Sequence, residues 1–121
     1  MSLQGVAPAG KSQALNCATQ QLILLGYTIE AGDGVVGFVR GEKQLTAEEM
    51  FFLPGTNERD VLTATVFDDD TTGSASLSVT AAIRTDSRTG APTKRGSADA
   101  DSIMATCTEQ TASGNREDAR R

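Results

Sequence analysis

A chain of 121 residues suits one domain, and 38% hydrophobic content with 4% aromatics keeps its core modest. A net charge of −5 and a pI near 4.6 argue against a nucleic-acid surface, which needs clustered Lys and Arg. Histidine is absent, so the commonest general base and metal ligand is missing, and the only two cysteines are Cys17 and Cys107.

Residues 1–12 place Gly5, Pro8, Gly10 and Ser12 among small residues and read as a flexible lead-in. They lack the basic and apolar segments of a signal peptide, and a secreted or lipid-anchored precursor stays open. Over 13–25, Ala14, Leu15, Ala18, Leu22 and Leu25 recur at helical spacing, with Ser12 as N-cap and Gly26 as the stop. Residues 27–31 and 35–43 are β-prone, and Gly32-Asp33-Gly34 between them makes a hairpin. The segment 44–60 carries Thr46 and Glu49 at capping-box spacing, then Met50-Phe51-Phe52-Leu53, the most apolar tetrapeptide, closed by Pro54-Gly55.

Residues 61–67 read as a strand, and 75–85 alternate cleanly. Ala75, Leu77, Val79, Ala81 and Ile83 take one face, while Ser76, Ser78, Thr80 and Arg84 take the other. Residues 86–96 form a polar, basic loop. Residues 99–111 form a second helix with Ala100, Ile103, Met104 and Cys107 on one face, and with Asp99 and Asp101 in its first turn. The end, 113–121, has no apolar residue except Ala119 and reads as a disordered tail. No apolar run reaches the length of a transmembrane helix. The expected architecture is a single α+β domain over 13–112 in the order α-β-β-β-β-α. A four-stranded antiparallel sheet carries both helices on one face, in two layers.

Cys17 and Cys107 sit on the two helices that must share that face, which suggests a disulfide between them; two buried free thiols are the alternative. Catalysis by either cysteine has no histidine to support it. Asp68, Asp70, Thr72 and Gly73 match the first half of a calcium loop. Val79 stands where a bidentate glutamate belongs, so the segment reads as an acidic hairpin tip with no metal. Glu42, Glu48, Glu49, Glu58 and Asp60 read as solvated loop charges, as do Arg84, Arg88, Lys94 and Arg95. Met50, Phe51, Phe52 and Leu53 are the candidate partner surface, with a lid over the core as the alternative. Neither a catalytic residue nor a cofactor is indicated.

The helix ending in Leu25-Gly26-Tyr27, followed by Ile29, the acidic turn at Asp33 and a strand with Gly37 and Val39, resembles small bacterial envelope lipoprotein domains of the BamC (NlpB) type. The likeness runs over 22–43, on structural positions, without a lipobox cysteine, and it transfers no functional residue. It implies a place outside the cytoplasm, in the periplasm, envelope or medium, with an optional lipid tether and work done through protein contacts. The reading from sequence is therefore a non-catalytic interaction or assembly module. A carrier of small apolar ligands and a cytosolic regulatory subunit or inhibitor are the alternatives.

Overall fold

The computed structural model describes residues 1–8, 10–45, 58–69, 74–85 and 88–108. In chain order these form β1 (Ser2–Ala7), α1 (Lys11–Leu24), β2 (Thr28–Asp33), β3 (Phe38–Gln44), β4 (Arg59–Asp69), β5 (Ser74–Arg84), β6 (Thr89–Gly90) and α2 (Lys94–Cys107). The longest pair is β4 with β5, eleven residues each, in unbroken antiparallel register from Arg59 opposite Arg84 to Asp69 opposite Ser74. The sheet runs β1-β5-β4-β3-β2, all neighbours antiparallel. Because β4 occupies one side of β5 along its whole length, β6 shares the other side with β1.

The alternation in β5 is realised as read. Ala75, Leu77, Val79, Ala81 and Ile83 are buried, and Ser76, Thr80 and Arg84 are exposed. From β4 come Leu62, Ala64 and Val66, and from β3 Val39. Both helices cover this face. Small residues on their inner sides (Ala14 and Ala18 from α1, Ala100 from α2) let the backbones lie close, and Leu22 and Ile103 fill the remaining space.

Three expectations need correction. Among the described residues the sheet has six strands, not four, and the order is β-α-β-β-β-β-β-α. The stretch read as a lead-in supplies β1, whose residues Ser2 to Ala7 pair with Thr80 to Ala75. Its six residues include Ser2 and Gly5 and lack a β-branched run, so the strand exists because β5 offers it a ladder, not because of propensity. The remaining strand, β6, is two residues inside the basic loop. The helix bounds also move. The N-cap of α1 is Gly10, not Ser12, and α2 begins at Lys94, five residues before Asp99. That early start contradicts the usual signals, since the first turn of α2 holds Lys94, Arg95 and Gly96. Something outside the helix must hold it.

Candidate functional site

The holding group is a buried carboxylate. Asp60 stands on the inner face of β4, in phase with Leu62, Ala64 and Val66, and is fully buried. The Thr93 hydroxyl donates to it at 2.8 and 3.0 Å from its two oxygens. Arg95 reaches it through Nε at 3.2 Å and Nη2 at 3.0 Å. Thr93 caps α2, its Oγ1 accepting the Gly96 N–H at 2.9 Å. Gly96 is required by the close approach, because a Cβ there would sit 2.8 Å from Asp60 Oδ1. Alongside, the Tyr27 hydroxyl donates to Asp99 at 2.8 Å, and Lys43 lies 5.7 Å from the Tyr27 ring centre while donating to the Leu25 carbonyl. Burial, then the Asp99 hydrogen bond and nearby negative charge, hold the Tyr27 hydroxyl protonated well above the ordinary tyrosine range. Glu58 is fully buried at the same end of the sheet.

This cluster corrects the reading of Glu58 and Asp60 as solvated charges and of Arg95 as part of a free basic loop. Arg84, Arg88 and Lys94 are exposed as expected. Chemically the Asp60 carboxylate is closed: its acceptors are taken by Thr93 and Arg95, and it is sealed from solvent. The arrangement fixes the first turn of α2 to the sheet. The missed signal was the phase of β4, which extends one step before Leu62 to place Asp60 inward.

The opposite end of α2 is held by a disulfide. Cys17 and Cys107 are bridged, with Cα atoms 5.8 Å apart, joining α1 to α2. The candidate partner surface, Met50, Phe51, Phe52 and Leu53, lies outside the described residues, as do Asp70, Thr72 and Gly73 of the acidic tip. Asp68 is exposed. Among the described residues no three of His, Cys, Asp and Glu converge as metal ligands. Nor is any helix among them long and apolar enough to cross a membrane.

Among the described residues β1 and β2 are the outer strands of the run β1-β5-β4-β3-β2, and their edges are built differently. At the β2 edge Glu30 falls at a register shift between Ile29 and Ala31, and Asp33 closes the strand by accepting the Val35 and Val36 N–H groups. At the β1 edge the sequence Ser-Leu-Gln-Gly-Val-Ala carries no charge and no proline. A cleft of about 280 Å³ runs beside it, lined by Leu3 and Gln4 from the strand and by Asp101, Met104, Ala105 and Thr108 from the last two turns of α2 and its C-cap.

No family model and no curated protein matches this chain. Among solved structures it is similar to the crystal structure of Ara h 8.0201, with a TM-score of 0.50 and 9% identity over 87% of this chain and 97% of that one. What the two share is the fold alone.

Proposed function

We propose that this chain is a non-catalytic interaction module that works outside the cytoplasm through its surfaces. The observation that carries the reading is the occupied interior: Leu22, Leu62, Val66, Leu77, Val79 and Ile103 meet, fully buried, where the sheet faces the helices. A disulfide linking those two helices suggests a non-reducing compartment, which disfavours the cytosolic subunit. The envelope placement rests on the helix–Gly-Tyr–strand resemblance over 22–43. The fold likeness is compatible with a carrier of small apolar ligands, but a carrier needs space that these side chains take.

Titration with a fluorescent fatty acid separates the two. The module reading expects no saturable uptake and an unchanged melting temperature, whereas one-to-one uptake with a melting rise would establish a carrier. The same protein, immobilised in oxidised form, should retain a protein partner from an envelope extract. Phe51→Ala and Phe52→Ala should abolish that capture and leave stability intact, if the Met50–Leu53 segment makes the contact. A loss of about 3–5 kcal/mol in each variant would instead assign both rings to the core.

A further inference from the structure

We infer that the groove between β1 and α2 receives an extended segment of a partner protein as an added strand, with an aliphatic side chain and a Lys or Arg entering the groove. The inference rests on the module reading and names the surface and the chemistry of its partner.

The Met1 nitrogen donates to the Ala81 carbonyl at 3.3 Å, and the Ala81 N–H donates to the Met1 carbonyl at 2.9 Å. A residue pair that exchanges both bonds is a closely bonded antiparallel pair, and such pairs recur at every second residue. Leu3, Gly5 and Ala7, opposite Val79, Leu77 and Ala75, therefore direct their N–H and C=O groups at β5. Those of Ser2, Gln4 and Val6 point to the open edge, and among the described residues β1 pairs with β5 alone. Three donors and three acceptors stand in strand spacing there.

The β1 edge also lacks the usual protection. Exposed edges are ordinarily blunted by bulges, charges or proline. The β2 edge has a register shift and two carboxylates, Glu30 and Asp33, whereas β1 has neither bulge nor charge nor proline.

Beside this edge lies the groove. A strand edge beside a helix takes peptides by main-chain pairing, with alternate side chains read by the adjoining pocket. Here α2 lies so close over the strand that a Cβ on Gly5 would come within 2.8 Å of Met104 Cε and 2.9 Å of Thr108 Cγ2. Leu3, Met104 and Ala105 give the groove an apolar wall, and Asp101 is its charged residue. An aliphatic side chain fits the first, and a cation complements the second. An acidic peptide or an anionic lipid surface would meet like charge.

The test uses short fluorescein-labelled peptides alternating Val and Lys, with a Val/Glu copy as the charge control, added to the oxidised full chain. Saturable binding of the Val/Lys peptide alone is expected, with slowed exchange of the Ser2, Gln4 and Val6 amides. Gln4→Pro removes one edge donor while leaving the bonds to β5 untouched, so affinity should fall about tenfold at constant melting temperature. Asp101→Asn should weaken binding several-fold and flatten its salt dependence. Equal binding to the Gln4→Pro protein, protection of β2 instead of β1, or no binding at all would each overturn the groove. Should Gln4→Pro disturb the fold, the amide protection pattern of the unaltered chain decides alone. Failure of the Val/Lys peptide to bind, with partner capture from an envelope extract intact, would sink the groove and leave the module reading standing.

Discussion

The two ends of α2 are fastened to the rest of the molecule by opposite chemistries. At its C-terminal end Cys107 is bonded to Cys17 of α1, across a sequence separation of 90. At its N-terminal end, roughly 20 Å away along the axis, the Asp60 carboxylate on β4 gathers Thr93 and Arg95. One fastening is covalent and acts largely by restricting the unfolded chain. The other exists only in the folded state and depends on charge kept from water. A short helix with Lys94, Arg95 and Gly96 in its first turn has little stability of its own, so both fastenings add to the packing of Ala100 and Ile103 in keeping the helix on the sheet.

The largest expected effect comes from the covalent end. In the loop-entropy model a closure of this length contributes about 4–5 kcal/mol. The Cys17→Ser, Cys107→Ser double variant should lose most of that in denaturant unfolding, and added reductant should then change nothing further. A double variant as stable as the oxidised parent would remove the bridge from the comparison. Intact-mass measurement of the unreduced protein, lighter by two hydrogens than the reduced form, checks the bridge directly.

The electrostatic end should be somewhat weaker. Asp60→Ala leaves the Arg95 guanidinium and the Thr93 hydroxyl without their shared acceptor, at a cost of about 3 kcal/mol. Arg95 keeps 24% of its side chain exposed and so recovers part of its hydration, which places the estimate at the low end of buried-pair losses. Chemical denaturation measures it, and hydrogen exchange should show the first turn of α2 opening while the amides near Cys107 stay protected. Uniform loss of protection along α2 would show that its two ends are not independently fastened.

The two fastenings also differed in how far the sequence disclosed them. Two cysteines on two amphipathic helices suggest a bridge once both helices are assigned to one sheet face. Asp60 offers no such mark. It follows Glu58 and Arg59 in a polar stretch, and only the period-two pattern continued back from Val66 through Ala64 and Leu62 turns it inward. The β5 face was legible because eleven residues alternate without interruption. In contrast β1 was not, because its pairs with β5 are separated by 68 (Ala7 with Ala75) to 78 residues (Ser2 with Thr80), and no local preference encodes a contact of that range. The start of α2 was hidden for a related reason, since Lys94, Arg95 and Gly96 argue against a first turn and the Asp60 carboxylate that holds Thr93 and Arg95 is more than thirty residues away in sequence.

Tyr27 gives the smallest effect and the one that varies with pH. Its hydroxyl is buried and donates to Asp99, so the folded protein binds this proton more tightly than the unfolded chain does. A group whose folded value is raised contributes its full stability below its unfolded value, near pH 10 for tyrosine. That contribution is lost progressively as the pH climbs beyond it, because the unfolded chain releases the proton while the folded one retains it. Tyr27→Phe should therefore cost about 1 kcal/mol at neutral pH through the lost hydrogen bond, Asp99 being free to turn to water. Measured by denaturation from pH 7 to 11, the stability gap between parent and variant should hold steady to about pH 10 and narrow above it. Other alkaline titrations act on both proteins equally and cancel in the difference. A gap constant to pH 11 would mean that the Tyr27 hydroxyl reaches solvent and that the network at this end of α2 stops at Asp60.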